Sequence, residues 1–296
     1  MQIIDGKALA EDFKSELRTK VKEATALGRR PPHLVAVLIG ENPASKSYVT
    51  NKVRSCGEVG YKSTIIQRSS ELSQQAVLDI VHQLNEDPDI DGFIVQLPLP
   101  QHIQEMDITL AIDPKKDVDG FHPMNMGLMT LGLPSYLPAT PMCILEMLKR
   151  YKIEVSGKTC CVIGRSNIVG TPMSILLSRK ASPGDGTVIL CHSKTRNMKE
   201  ITLQSDILIV ALGKPLFLTE DMVKEEAVVI DVGINRIADP TKKSGFRLAG
   251  DVDFEHVAPK CSYITPVPGG VGPMTVTSLL LNTWKAYTGE VYPKNK

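Results

Sequence analysis

Short apolar runs and longer amphipathic stretches alternate along the chain from residue 33 onwards. The apolar runs are rich in Val, Ile and Leu, whereas the stretches between them repeat apolar residues at helical spacing. Strands and helices that alternate in this way form a parallel sheet covered by helices. In the first half of the chain the pattern predicts strands at 33–40, 62–69 and 92–100, and helices at about 7–28, 44–59 and 73–85.

The alternation starts again in the second half of the chain. This restart predicts a second domain and hence a two-domain α/β protein, with one domain over 1–140, the other over 141–272, and a cleft between them. We expect the helix within 273–296 to pack back on the first domain and to complete it. The strands predicted for the second domain lie at 158–164, 187–191, 206–213 and 227–233.

The composition is that of an ordinary globular protein, and it narrows the classes of function. Of the 296 residues, 42% are hydrophobic and 23% are charged, and 34 basic against 33 acidic residues leave a formal net charge of +1. Such a balance gives no electrostatic footprint for nucleic acid or for an anionic membrane. The start of the chain has no basic segment followed by an apolar one, and no run of about 18 apolar residues occurs. We therefore expect a cytoplasmic protein.

The six cysteines form neither a C-x-x-C pair nor a Cys/His cluster at zinc spacing. We expect reduced thiols that fill the core, and no metal site, as in a protein of a reducing compartment. The six are Cys56, Cys143, Cys160, Cys161, Cys191 and Cys261.

The segment "CCVIGRSNIVGTPMSILL" at 160–177 carries the clearest chemical motif. It predicts a strand, a loop bounded by Gly164 and Gly170, and a helix with Thr171 as its cap. Glycine at such a turn lets the backbone approach a pyrophosphate, and the N-terminus of the helix offers free N–H groups. The pattern is not G-x-G-x-x-G, but its place at the first strand of the second domain predicts a Rossmann-like nucleotide-binding domain.

The end of the next predicted strand favours NADP over NAD. NAD-binding domains usually place an acid there for the ribose 2′-hydroxyl, and that carboxylate would repel a 2′-phosphate. Here "CHSKT" at 191–195 offers Ser193 and Lys194 instead, and Arg165 in the glycine loop adds a guanidinium for phosphate. A solvent-exposed loop with incidental polar residues is the alternative interpretation.

The predicted helix at 44–59 places a hydroxyl, a ring and an amine on one face. Tyr48 and Lys52 are four residues apart, and Ser45 comes one turn before Tyr48. For a lysine in a helix, a solvated face is the usual explanation. The stripe indicates a functional site only if other parts of the chain supply further residues for that site.

Polar residues near the end of the third predicted strand are further candidates. Gln96 in "FIVQLPLP" lies where open α/β sheets bind ligands, although a satisfied core amide is the commoner role. Asp117 and Asp119 lie two apart beside a glycine. The pair could bind a hard metal, but no further oxygen ligands lie nearby in sequence. Alternatively, one ionised carboxylate could accept two hydrogen bonds from an N–H pair on a heterocycle.

The loop "TPVPGGVGPMT" at 265–275 contains three prolines and three glycines. The prolines stiffen it, whereas the glycines permit positive φ and close contact with a flat ligand. A plain turn needs far fewer such residues, so the loop is a candidate ligand contact.

Together the motifs "SYVTNK", "GFIVQLPLP", "KDVDGFHP", "GRSNIVGTP", "CHSKT" and "ITPVPGGVGPMT" resemble the bifunctional methylenetetrahydrofolate dehydrogenase/cyclohydrolase family. The resemblance spans about residues 1–290, with the motifs in the expected order. It implies an enzyme that oxidises the one-carbon bridge of 5,10-methylenetetrahydrofolate with NADP⁺ and then hydrolyses the methenyl product to 10-formyltetrahydrofolate. It also implies a homodimer that serves one-carbon metabolism, including purine biosynthesis.

The resemblance further implies a role for each candidate residue. Lys52 would be the catalytic amine, held by Gln96, while Tyr48 would pack on the folate ring and Asp119 would accept hydrogen bonds from the pterin. Water attacks an already cationic carbon, so the amine of Lys52 is expected to act in its neutral form, first as base and then as acid. The implied folate contacts are Tyr48, Lys52, Val95, Gln96, Leu97, Asp119, Pro266, Gly269, Gly270, Gly272 and Pro273. The implied NADP contacts are Gly164, Arg165, Ser166, Ser193 and Ile234.

Three alternatives stay open at this point. A monofunctional methylenetetrahydrofolate dehydrogenase would carry out the hydride step alone, but it would not need the whole set Tyr48, Lys52, Gln96 and Asp119. A nucleotide-sensing protein without turnover would not need Lys52. An unrelated NADP oxidoreductase on a similar fold would make no use of the loop at 265–275.

Overall fold

A computed structural model describes residues 1–242 and 245–293 of the chain. The chain folds as two compact units, each discontinuous in sequence. The first, here called the six-stranded unit, comprises residues 1–10 and 140–275. The second, the three-stranded unit, comprises residues 11–139 and 276–296. The division into a first domain over 1–140 and a second over 141–272 stays a prediction.

The strands and helices follow the predicted alternation closely. The strands are β1 Gln2–Ile3, β2 His33–Ile39, β3 Lys62–Arg68, β4 Gly92–Val95, β5 Thr159–Ile163, β6 Thr187–Cys191, β7 Ile207–Val210, β8 Ala227–Asp231, β9 Asn235–Ala238, β10 Phe246–Ala249 and β11 Cys261–Ile264. The α-helices are α1 Gly6–Ala26, α2 Pro43–Val59, α3 Gln74–Glu86, α4 Glu105–Ala111, α5 Pro123–Thr130, α6 Ala139–Arg150, α7 Gly170–Ser178, α8 Met198–Leu203, α9 Phe254–Val257 and α10 Val271–Thr288.

The three-stranded unit is built on a parallel sheet of order β3-β2-β4. Every side chain of β2 is buried because successive side chains enter opposite cores. Leu34 and Leu38 pack with α1, α2 and α10, whereas Val35 and Val37 pack with α3 and α4. The continuous apolar run of β2 is therefore what a central strand covered on both faces requires.

The strand predicted at 92–100 is shorter in the structure. β4 ends at Val95, although the N–H of Gln96 still donates to the carbonyl of Val37 at 2.9 Å. The segment that follows contains Pro98 and Pro100, which have no N–H to donate to a neighbouring strand. Gln96 consequently lies at the carboxyl end of a strand in a parallel sheet.

The six-stranded unit contains a parallel sheet of order β1-β11-β8-β7-β5-β6. From β5 the chain first adds β6 on one side and then adds β7, β8 and β11 on the other. This doubly wound order is that of a Rossmann-like domain, and it puts the switch point between β5 and β7. Strands β9 and β10 form a separate antiparallel pair.

The fold class predicted from the sequence is confirmed: the protein is α/β, with two units and a Rossmann-like parallel sheet in one of them. All six cysteines are buried and free. Over residues 1–242 and 245–293, every helix is too short or too polar to span a bilayer.

Candidate active site

Lys52 of α2 and Gln96 at the end of β4 meet in the three-stranded unit. The amine of Lys52 donates a hydrogen bond to Oε1 of Gln96 at 3.2 Å. The other end of the amide is also fixed, because Nε2 of Gln96 donates to the carbonyl of Leu97 at 2.7 Å. Only 7% of Lys52 is exposed, so the solvated-face interpretation does not fit this lysine. Lysine is rarely buried unless its amine is paired, so this held amine is a candidate functional group.

The rest of the α2 stripe lies as the spacing predicted. Tyr48 is 40% exposed, one turn before Lys52. Ser45 is buried, and its backbone N–H is capped by the side chain of Asn42 at 3.2 Å. The structure thus presents an accessible ring beside a buried amine on one face of a helix.

A pocket lies at the carboxyl end of β4. Asp117 and Asp119 line it together with Val95 and Leu97, which are predicted folate contacts. Its lining also includes Glu105 and Phe121, among others. Asp119 is half-buried, whereas Asp117 is only 3% exposed. Of the two carboxylates, Asp119 is therefore the one available to a ligand.

Asp117 organises the loop that carries Asp119. Its carboxylate accepts hydrogen bonds from the backbone N–H of His122 at 2.8 Å and of Phe121 at 3.3 Å, and from Nδ2 of Asn125 at 2.9 Å. Burial raises the pKa of Asp117 to about 6, while these three donors act in the opposite direction. Because hydrogen-bond donors already surround its carboxylate, Asp117 does not suit the role of a metal ligand. We assign it to holding the loop in shape.

The glycine loop after β5 lies at the switch point of the six-stranded unit. A Cβ on Gly164 would lie 2.1 Å from the carbonyl oxygen of Ala211, at the end of β7, and its φ is +120°. A Cβ on Gly170 would lie 1.9 Å from the carbonyl oxygen of Gly164. Both positions therefore exclude any side chain, and Arg165 to Ile168 between them are exposed. An exposed loop held tightly at both ends fits a cofactor that is gripped through its phosphates.

The cap of α7 differs from the prediction. Thr171 lies inside the helix, and the residue before the helix is Val169. Ser166 takes over the capping, because its Oγ accepts from the N–H of Val169 at 3.2 Å and its carbonyl accepts from the N–H of Thr171 at 3.0 Å. The sequence had suggested that the amides at this helix N-terminus are free for a phosphate. The N–H groups of Val169 and Thr171 are instead bonded to Ser166. The exposed residues of the loop itself and the hydroxyl of Ser166 are the remaining donors.

The predicted 2′-phosphate residues lie in a tight turn after β6. The N–H of His192 donates to Oγ1 of Thr195 at 2.8 Å, and the N–H of Thr195 donates to the carbonyl of His192 at 2.8 Å. Ser193 and Lys194 occupy the tip of this turn and are exposed. The tip therefore presents a hydroxyl and a cation without a carboxylate, which is the donor set that suits a 2′-phosphate.

The loop at 265–275 is shaped by close backbone packing within the six-stranded unit. A Cβ on Gly6 would lie 1.8 Å from the carbonyl oxygen of Gly270, and the carbonyl of Gly269 accepts from the N–H of Lys7 at 3.2 Å. Gly269 and Gly270 are buried and shape the loop, and their contact with a folate stays a prediction. Pro266 and the two residues Gly272 and Pro273 at the start of α10 are half-buried, and Ile234 lies within 3.4 Å of the Cβ position of Gly272.

Two buried aspartates that sequence reasoning missed hold the loops at the ends of β7 and β8. Asp251 accepts from the N–H of Leu212 at 2.7 Å, from the N–H of Gly213 at 2.8 Å and from Nδ2 of Asn235 at 2.9 Å. Asp231 accepts from the N–H of Asp251 at 2.9 Å, and burial raises the pKa of Asp231 to about 6. An acid in the otherwise apolar run "AVVIDVG" was the available sequence signal.

Known proteins match this chain over nearly its whole length. Residues 4–119 match the family described as tetrahydrofolate dehydrogenase/cyclohydrolase, catalytic domain, and residues 138–291 match its NAD(P)-binding domain. The bifunctional protein FolD of Cytophaga hutchinsonii is 59% identical over 97% of this chain and 99% of its own length.

Solved structures give the same result. The bifunctional enzyme FolD, methylenetetrahydrofolate dehydrogenase/cyclohydrolase, from Campylobacter jejuni is 45% identical with a TM-score of 0.92, covering 98% of this chain and 99% of that one. The Trypanosoma brucei enzyme, solved with NADP cofactor and an inhibitor, is 36% identical with a TM-score of 0.91, covering 98% of each chain. The resemblance inferred from six sequence motifs is confirmed: the chain belongs to the tetrahydrofolate dehydrogenase/cyclohydrolase family.

Proposed function

We propose that the protein is a bifunctional enzyme of folate one-carbon metabolism. It oxidises 5,10-methylenetetrahydrofolate to the 5,10-methenyl form with NADP⁺ and hydrolyses that product to 10-formyltetrahydrofolate. The observation that carries the proposal is the contact between the buried amine of Lys52 and Oε1 of Gln96. A dehydrogenase alone has no need of a held amine, and matches to both the catalytic and the NAD(P)-binding domain of the family support the bifunctional interpretation.

In the hydrolytic step, Lys52 moves protons. In its neutral form the amine donates to Gln96 and keeps a lone pair for water. As the water oxygen bonds to the methenyl carbon, the amine takes one of its protons. The ammonium then returns a proton to the ring nitrogen that departs, while the carbinol hydroxyl loses its proton to solvent and becomes the formyl carbonyl. Gln96 keeps the amine aimed, because its own amide is fixed on Leu97.

The other residues of the three-stranded unit bind and orient the substrate. We assign the exposed ring of Tyr48 to stacking on the folate ring system, and the carboxylate of Asp119 to the pterin N–H groups. Val95 and Leu97 supply apolar walls of the pocket beside Asp119. From the loop at 265–275, Pro266, Gly272 and Pro273 contact the folate, with Gly269 and Gly270 shaping the loop. The first domain, 1–140 with 273–296, is on this proposal the catalytic one.

The second domain, 141–272, holds NADP. The glycine loop between Gly164 and Gly170, with Arg165 and Ser166 in it, lies where the diphosphate binds, and Ser193 takes the 2′-phosphate. Ile234 borders the nicotinamide. Bound NADP⁺ would supply the hydride acceptor for the one-carbon bridge, and the protein contributes alignment and exclusion of water. We further propose a cytoplasmic homodimer that serves purine biosynthesis.

The proposal is tested by following both steps in one cuvette with 5,10-methylenetetrahydrofolate and NADP⁺. Wild type is expected to form reduced nicotinamide with little build-up of the methenyl compound. The Lys52→Gln variant should keep hydride transfer, accumulate the methenyl compound, and lose cyclohydrolase activity by a factor of about a hundred or more. Lys46→Gln, the same change at an exposed lysine of α2, is the matched control and should behave as wild type.

Three results would contradict the proposal. Equal methenyl accumulation in wild type and Lys52→Gln would favour a monofunctional dehydrogenase. Nucleotide binding without turnover would favour a sensor. Turnover of NADP that ignores folates would indicate an unrelated oxidoreductase.

A further inference from the structure

The loop that carries Asp119 is held by side chains from the end of the chain. Nδ2 of Asn282, in α10, donates to the carbonyl of Val118 at 2.9 Å and to the carbonyl of Leu137 at 2.9 Å. Asn282 is fully buried, and Val118 is the residue immediately before Asp119. One amide thus fixes the backbone on the N-terminal side of the aspartate.

Tyr292, four residues after the end of α10, holds the other side of the loop. Its hydroxyl donates to Oδ1 of Asn125 at 2.8 Å. Nδ2 of the same Asn125 donates to the carboxylate of Asp117 at 2.9 Å. Asn125 is fully buried, so its bond to Asp117 forms away from water, whereas the bond from Tyr292, which is half-buried, is partly shielded.

Packing fixes the tyrosine ring as well as its hydroxyl. The rings of Tyr136 and Tyr292 are 5.6 Å apart between centroids, in a tilted arrangement, and the hydroxyl of Tyr136 donates to the carbonyl of Lys115 at 3.1 Å. The N–H of Tyr136 also donates to Oδ1 of Asn125. The segment 115–125 is therefore tied to the last described residues of the chain by a continuous set of bonds.

We infer that Asn282 and Tyr292 are positioning residues for Asp119, and that the end of the chain in this way sets the affinity of the enzyme for its folate substrate. This inference rests on the proposed function, since it assigns the pterin to Asp119. Neither residue touches the reacting atoms. Each holds a backbone or side-chain group within eight residues of the aspartate, one on either side of it.

Tyr292→Phe tests the inference because it removes one hydroxyl and keeps the ring. We expect the KM for 5,10-methylenetetrahydrofolate, and the Kd for tetrahydrofolate, to rise about three- to tenfold, the effect of one partly buried hydrogen bond. The kcat at saturating folate and the Kd for NADP should stay at the wild-type values. Tyr61→Phe is the matched control: it also removes a buried hydroxyl bonded to α10, but that hydroxyl donates to the carbonyl of Leu280 and not to segment 115–125. An unchanged folate KM in Tyr292→Phe, or an equal rise in Tyr61→Phe, would overturn the inference.

A double-mutant comparison separates positioning from a general loss of stability. If Tyr292 acts through Asp119, then adding Tyr292→Phe to Asp119→Asn should raise the folate KM no further. Fully additive effects would refute the inference. Asn282→Leu, which removes the donor to Val118, should raise the folate KM in the same way if it folds, as judged by its thermal melting. Wild type that fails to bind tetrahydrofolate at all would instead contradict the proposed function, so the two failures are distinguishable.

Discussion

The amine of Lys52 donates to Oε1 of Gln96 at 3.2 Å, and the amide nitrogen of Gln96 donates in turn to the carbonyl of Leu97 at 2.7 Å. The second bond decides which end of the amide faces the lysine. Because the carbonyl of Leu97 can only accept, Nε2 must point to it, and the oxygen is left for the amine. The orientation of the amine is thus set by a backbone group.

Gln96→Leu should lower cyclohydrolase activity about 10- to 100-fold, since the amine loses the oxygen that orients it. The rate of hydride transfer should fall much less, because that step needs alignment and no proton donor. Both rates are read from the nicotinamide and methenyl absorbance. Gln83→Leu, the same change on the exposed face of α3, is the control. An equal fall of both activities would show that Gln96 only supports the fold.

Gly164→Ala should abolish NADP binding, because the new methyl group would lie 2.1 Å from the carbonyl oxygen of Ala211 at a φ of +120°. Gly157→Ala is the matched control, since Gly157 also has positive φ, +72°, but open space around its Cβ position. That control should lose only about 1–2 kcal/mol of stability and should still bind NADP. Titration with NADP and thermal melting measure the two effects. Equal losses in both variants would mean that backbone strain, and not the approach of Ala211, makes the glycine necessary.

Ser193→Asp should weaken NADP binding on the order of tenfold to a hundredfold, because a carboxylate at the tip of the turn would repel the 2′-phosphate. Binding of NAD should be unchanged or tighter, since its 2′-hydroxyl can donate to the new acid. The Kd values for the two cofactors are compared directly. Ser156→Asp places the same charge on an exposed position of the same unit and should change neither Kd. A uniform loss of NADP and NAD binding in Ser193→Asp would contradict the assignment.

Asp117 should make the stability of the three-stranded unit depend on pH. Burial raises the pKa of this carboxyl from its ordinary value of 3.8 to about 6, so between these values the folded protein holds the proton more tightly than the unfolded chain does. The contribution of Asp117 to the free energy of unfolding therefore falls as pH rises from about 4 to about 6, and it is constant above that.

Asp117→Asn should remove this part of the pH dependence. Urea unfolding between pH 4 and 7, followed by the fluorescence of the single tryptophan, Trp284 of the three-stranded unit, measures the slope. Asp231, whose pKa burial also raises to about 6, belongs to the other unit, so Asp231→Asn is the control that should leave the Trp284 signal unchanged in slope. Parallel curves for wild type and Asp117→Asn would disprove the linkage.

Sequence reasoning succeeded where the signal was local or periodic. β2 is one continuous apolar run, and the stripe of Tyr48 and Lys52 depends on a spacing of four residues, which a single helix preserves. It was less accurate at the ends of elements. The strand predicted at 92–100 stops at Val95, because prolines that cannot pair look apolar in a hydrophobicity pattern.

The residues that hold the site together escaped prediction because their partners are remote in sequence. Thr171 is of a residue type that often caps helices, yet it lies inside α7, and Ser166 caps the helix from the preceding loop. Asn282 bonds to Val118, and Tyr292 bonds to Asn125, over more than 150 residues. No spacing rule connects such pairs, since only the tertiary fold brings them together.

The pairing of β1 has a consequence for how the protein is made. Gln2 pairs with Tyr263 and Ile3 with Ile264, so the neighbouring strand of β1 does not exist until residues 261–264 have been synthesised. Folding of the three-stranded unit is also delayed, because this unit includes the residues of α10 from Val276 onwards. The six-stranded unit has all its residues only once residue 275 has been made, and the three-stranded unit only after that. A chain that stops before β11 therefore lacks part of both units, including the neighbour of β1 and the whole of α10.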